Sequence, residues 1–165
     1  MQDTTRSYKD GIVVGLIAYA SVAAFYGIFD VLASRGAFFT VDLLGKAVFR
    51  QLSDPSVLQH PIELDQTAIL LYNTVHLLIS LAIGLIVLRV AEEGVRRPER
   101  AMQVRVFIAA GYFVTVAAVG FLTEPMRAVM PWWTIAASNG LSTLLAGWYL
   151  LRRRPELGRL VPFRG

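Results

Sequence analysis

The stretch QTAILLYNTVHLLISLAIGLIVL, Gln66 to Leu88, runs for 23 residues without a charge. A helix rises about 1.5 Å per residue, so such a run matches the roughly 30 Å hydrocarbon core of a bilayer. Three more charge-free runs accompany it: Gly11–Phe29, Val106–Thr123 and Ala128–Leu151, of 19, 18 and 24 residues. Four apolar segments joined by short connections predict an all-α integral membrane protein, an antiparallel four-transmembrane-helix bundle. The expected spans are about 11–33, 66–89, 105–123 and 129–151, in one domain covering 1–165.

Composition agrees with this class and narrows the chemistry. The chain is 55% hydrophobic and has no cysteine. Disulfide frameworks, thiol nucleophiles, iron–sulfur clusters and cysteine–zinc sites are therefore excluded. Arg6 and Lys9 precede the first apolar run, and AYAS around Ala20 resembles a leader-cleavage site. The run continues well past that point and Asp3 and Asp10 dilute the basic leader, so a retained helix is expected.

The basic residues set the orientation. Twelve of the sixteen fall in the N-terminal tail, the loop between the second and third spans, and the C-terminal tail. Only Arg35, Lys46, Arg50 and Arg127 fall on the other side. The positive-inside rule then puts both termini in the cytoplasm and segment 34–65 outside. The net charge of +4 is mostly this topology signal. The tail LRRRPELGR reads as a stop-transfer flank, and no nucleic-acid partner is expected. Arginine outnumbers lysine 14 to 2, a bias associated with GC-rich bacterial genomes, which suggests a bacterial cytoplasmic (inner) membrane.

In the outer segment, FFTVDLLGKAVFRQL (Phe38–Leu52) sets Val41, Leu44, Val48 and Leu52 at helical spacing. It predicts an outer amphipathic interfacial helix between the first and second spans, with Thr40 at its start and Asp42, Lys46 and Arg50 largely on its polar side. SDPSVLQHPIELD reads as coil, with Pro61 or Asp65 opening the second span. Trp132 and Trp133 suit the membrane interface. Small residues four apart mark helix-contact faces: Gly11 and Gly15, Ala23 and Gly27, Gly111 and Thr115, Ala136 and Gly140.

Polar residues inside the runs carry the functional question. Asn73, His76, Ser80 and Gly84 share one helical face. Tyr19, Ala23, Tyr26 and Asp30 form a second stripe, and Asn139 lies on the fourth run. His76 would sit roughly 15 Å, and Asn139 roughly 10 Å, below the outer ends of their helices. Intramembrane polar groups usually face the bundle interior or a cavity, so Tyr26, Asp30, Asn73, His76 and Asn139 are the candidate ligand-binding residues. The competing reading is structural: such groups bond between helices for on the order of 1 kcal/mol each.

Recognisable catalytic arrangements are missing from the pattern. The only other histidine, His60, would lie about 24 Å from His76 along a continuous helix, too far to share a haem iron. His60, Glu63 and Asp65 make a weak metal set, and Ser80 beside His76 has no carboxylate nearby in sequence. The sequence specifies no cofactor, no metal and no catalytic residue. It predicts a non-catalytic polytopic membrane protein, an accessory or ligand-binding subunit of a membrane assembly. Expected partners are the lipid bilayer and a larger membrane protein or further copies of the chain. The alternative is a small redox or transport bundle that binds a hydrophobic small molecule, namely a quinone, pigment or organic solute, in an outer-half polar pocket.

Overall fold

The computed structural model describes the backbone of residues 2–51 and 63–161, with side chains from Tyr8 onward. Among these residues it is helical throughout, without strands. The long elements are α1 (Gln2–Leu32), α2 (Phe39–Phe49), α3 (Gln66–Arg96), α4 (Ala101–Leu122) and α5 (Trp132–Arg153). Short 3-10 turns at Pro98–Arg100, Glu124–Met126 and Pro155–Leu160 each begin close to a proline, which lacks the backbone donor a longer helix needs.

Three segments are long and apolar enough to cross a membrane: Tyr8–Leu32, Gln66–Arg96 and Pro98–Leu122. α5 is not among them. Thr134, Ser138, Asn139, Ser142 and Thr143 interrupt its apolar run.

α1 is the centre of the fold and packs along both α3 and α5. Its seam with α3 is built from small residues. A Cβ on Gly84 would lie 2.5 Å from the carbonyl oxygen of Gly11 and from the nitrogen of Gly15. One on Gly15 would lie 2.6 Å from the Leu81 Cα. The two backbones touch here, and only glycine allows it. Toward the arginine-rich end, Val14, Leu88, Ala91, Ala146, Leu150 and Leu157 form one apolar cluster. Toward the other end, Tyr26, Leu44, Met130 and Ile135 form a second.

The other small-residue pairs fare differently. Gly111 would meet nothing within 4 Å, Gly27 only the Ala37 carbonyl, and Gly140 only the Tyr112 hydroxyl. α4 is thus held loosely, with Val104 its one buried residue.

The chain leaves α1 through a tight reversal. Ser34 and Gly36 take left-handed conformations, at φ 57° and 83°, the latter natural for glycine. This reversal starts α2 at Phe39. A helix is present within this stretch, from Phe39 to Phe49, but among the described residues of the expected apolar face only Leu44 is buried. Phe39, Thr40, Asp42, Leu43, Leu44 and Gly45 are buried, whereas Val48 is exposed. The reason is close contact with α3: a Cβ on Gly45 would lie 2.5 Å from the Ala68 carbonyl oxygen, which fixes which side turns inward. Phe39, Leu43 and Met126 pack beneath the connection between α4 and α5. Leu52, His60, Pro61 and most of the proline-containing lead-in lie outside the described residues.

Candidate functional site

At the α2 end, the Asp30 carboxylate is only 1% exposed. It accepts hydrogen bonds from the Thr40 nitrogen (2.7 Å) and hydroxyl (2.7 Å), and from Arg35 (3.2 Å). Thr40 therefore does not open α2 as its own cap. Asp30, reaching from α1, receives those donors instead, the role a capping carboxylate normally plays from within the chain turn. Arg35 also donates to the Val129 carbonyl (2.6 Å) and lies over the rings of Phe29 and Phe39. The oxygens of Asp30 are thus engaged in joining α1, α2 and the α4–α5 connection.

Asn73 and His76 meet α1 at a different level. The Tyr19 hydroxyl donates to the Asn73 side-chain oxygen at 2.9 Å, and the Asn73 amide donates to the Ile69 carbonyl at 2.9 Å. The His76 ring lies between two phenol rings, with centroids 5.3 Å from Tyr19 and 5.8 Å from Tyr72. Tyr26 shares a longer bond of 3.4 Å with the Thr134 hydroxyl of α5. Asn139 donates to the Ile135 carbonyl of its own helix at 2.8 Å. Of the five candidates, Asn73 and His76 are brought together through Tyr19. Asp30, Tyr26 and Asn139 each answer to other partners. Seven residues along α1 separate Tyr19 from Tyr26, or roughly 10 Å of helix.

Tyr72 belongs to this cluster although the polar stripe did not include it. It lies one turn before His76 and next to Asn73, within a run dominated by leucine and isoleucine. Phenols are common in apolar helices, so nothing in the pattern of residues singles it out. The burial pattern of α3 reveals it. Ala68, Ser80, Gly84, Leu88 and Ala91 are buried along one stripe, which passes through Tyr72 and His76, and there the side chains are only half-buried.

Two ionic networks were also missed. At the arginine-rich end Arg154 is buried and donates to Asp10 at 2.7 Å, with Glu92 at 3.5 Å and Glu156 at 3.8 Å. Tyr149 donates to the same Asp10 carboxylate at 3.3 Å. The hydrogen bond to Asp10 raises the Arg154 pKa further above its ordinary value, so the guanidinium is always charged. Arg154 is thus an internal tie between α1, α3 and the end of α5, not one more residue of a solvated flank. A usable signal was present: Asp10 and Arg154 border charge-free runs that end on the same side.

The second network joins α2 to α3. Asp65 caps α3 through the Ala68 nitrogen (2.9 Å) and accepts from Arg50 (2.9 Å), while its own nitrogen donates to the buried Asp42 (2.8 Å). Lys46 pairs with Asp42 at 2.6 Å and also donates to the Glu63 carbonyl. The hydrogen bond from Arg50 holds the Asp65 carboxyl below its ordinary pKa, and the same bond raises that of Arg50.

Among the described residues, no three histidine, aspartate or glutamate side chains converge as a metal site would require. Comparison with protein-family models, curated proteins and solved structures finds no match to this chain. Function has to be argued from these side chains alone.

Proposed function

We propose that the chain is a four-span membrane protein that works as a non-catalytic accessory or ligand-binding subunit. In this reading α5 is the fourth span and α2 caps the bundle on the extracytoplasmic side. Both termini lie in the cytoplasm of a bacterial cell. The buried positions of α5 include Thr134, Ser138 and Ser142, while Leu144, Leu145 and Trp148 point outward. Three of the five polar residues that lower its average hydropathy are therefore turned away from lipid, which supports a fourth span.

The observation that carries the accessory role is the state of α4. Phe121 is 86% exposed and Phe113 67%, and Gly111 and Gly120 have open space where a side chain would stand. A helix so weakly tied to its own bundle presents an apolar face that lipid or another membrane helix covers. The test is purification from native membranes in mild detergent, followed by mass spectrometry. A larger membrane protein in fixed proportion, lost when Gly111 is replaced by leucine, is the expected result. A monodisperse chain with no associated protein and no bound organic molecule rules the reading out.

A second reading, a bundle that binds a quinone, pigment or organic solute, is favoured by one observation. Tyr72 and His76 are polar, half-buried and without a hydrogen-bond partner among the described residues.

A further inference from the structure

Tyr72 and His76 contrast with most polar side chains at their depth, which have hydrogen-bond partners. Tyr19 is bonded to Asn73, Asn73 to Ile69, Thr74 to Leu70 and Tyr26 to Thr134. The Tyr72 hydroxyl and the His76 imidazole make ring contacts, and Tyr72 also packs against the cluster of Tyr26, Leu44, Met130 and Ile135, but neither has a hydrogen-bond partner among the described residues. Neither polar group is sealed in, because the fully buried, unpartnered side-chain atoms among the described residues belong to Arg35, Arg105 and Arg154. Inside a bilayer an accessible but unsatisfied donor costs several kcal/mol, since no water is at hand. Something other than the described protein must satisfy them.

We propose that Tyr72 and His76 bind the carbonyl group of a membrane-dissolved quinone. This deepens the second reading above and rests on it. A phenol donates one hydrogen bond, and a neutral imidazole offers one donor and one acceptor. Two adjacent donors suit a carbonyl oxygen, which has two lone pairs. The rings of Tyr19, His76 and Tyr72 follow one another, tilted by 56° and 37°, and offer aromatic edges and faces to a flat ring. Tyr19 is held in place by Asn73, which is itself anchored to Ile69, so this aromatic surface is organised in advance.

The surroundings select against other ligands. The nearby carboxylate on α1, Asp30, is already engaged with Thr40 and Arg35, which leaves a neutral site. A strongly polar solute would need more partners than one phenol and one imidazole. Leu71 and Val75, next to Tyr72 and His76 on α3, are exposed, so the pair borders a surface that lipid reaches.

The test uses the full chain in lipid nanodiscs and a short-tailed benzoquinone, with binding measured directly by titration. Tyr72→Phe keeps the ring and removes the hydroxyl. His76→Phe keeps an aromatic ring and removes both nitrogens. Each is expected to weaken binding roughly threefold to tenfold, the loss of one hydrogen bond, while Thr143→Ala on the exposed side of α5 leaves it unchanged. In parallel, an azido derivative of the same quinone is photolysed on the unaltered chain and the labelled peptide mapped. Label within 70–80 supports the site even if a variant folds poorly. Binding that is unchanged in both variants, or label confined elsewhere, overturns the proposal but leaves a ligand-binding bundle standing. No quinone binding also overturns it; solvent extraction of the native protein then decides the broader reading, which survives if another organic molecule is recovered and falls if none is.

Discussion

Replacing Gly84 by alanine adds one methyl group, and the α1–α3 seam has no room for it. The new Cβ would stand 2.5 Å from the Gly11 oxygen, 2.5 Å from the Gly15 nitrogen and 2.9 Å from the Gly15 Cα. All three are backbone atoms, so no side chain can swing aside. Ordinary contact begins near 3.4 Å, and the helices must part by about 1 Å to reach it. Overpacking of this kind costs about 1–3 kcal/mol. Gly111→Ala in α4 supplies the control, because its Cβ would meet nothing within 4 Å. Both changes carry the same helix-propensity gain of up to about 1 kcal/mol, which cancels when the two variants are compared. SDS titration in mixed micelles, followed by circular dichroism, should therefore place Gly84→Ala about 1–3 kcal/mol below Gly111→Ala. Equal stabilities for the two would refute the close seam.

Three further outcomes are expected. Arg154→Met leaves the buried Asp10 with only the Tyr149 hydroxyl and a distant Arg153, and should cost about 3 kcal/mol in the same titration, part of which a second change, Asp10→Asn, restores. The Asp65 carboxyl has a lowered folded pKa, so its contribution is in full force above the ordinary value near pH 4 and is lost as pH falls through the lower folded value. Protection from hydrogen exchange at the start of α3, measured against the intrinsic rate, should accordingly drop only in acid, and Asp65→Asn should remove that acid step. Reporter fusions after Arg97 and after Asp54 should mark opposite faces of the membrane; the same face for both contradicts the four-span topology.

Much of the architecture was legible because the bilayer imposes a simple rule of length and polarity. Gln66–Leu88 and Gly11–Phe29 announce helices by the absence of charge, and both lie within segments long and apolar enough to span. Gly11 and Gly15 also announced a contact face, and Gly84 lay on the stripe that meets it. Identical spacing at Gly111 and Thr115 had no such outcome, since spacing cannot say whether a neighbour stands opposite. α2 was harder to read. Hydrophobic periodicity put Val41, Leu44, Val48 and Leu52 on one face; Leu44 is buried, but Val48 is exposed and tertiary contacts brought Asp42 inside through the Asp65 nitrogen and Lys46. Asp30 was visible as a polar residue in an apolar run, yet its partners Thr40 and Arg35 arise from the reversal at Ser34–Gly36, which periodicity does not describe. Tyr72 was hidden for the opposite reason. What distinguishes it is the lack of a partner, and only coordinates reveal that.

The distribution of ion pairs gives this fold a mechanical character. Each buried pair lies near a helix end: Asp30 with Arg35 beside α2, Asp42 with Lys46 on α2, and Asp10 with Arg154 where α5 stops. Near the headgroups water and phosphate lower the cost of an imperfectly matched charge, whereas at mid-depth the same mismatch would be severe. α1, α2, α3 and α5 are tied by these pairs at one end or both. α4 takes no part in them. It is joined to the bundle by Val104 packing against Gly94, by the Tyr112 hydroxyl on the Ala136 carbonyl, and by side contacts of Val116 and Val119. Low contact density of this kind marks the part of a structure that opens at least cost. In the four-span reading α4 is therefore the helix that separates from the bundle at least cost.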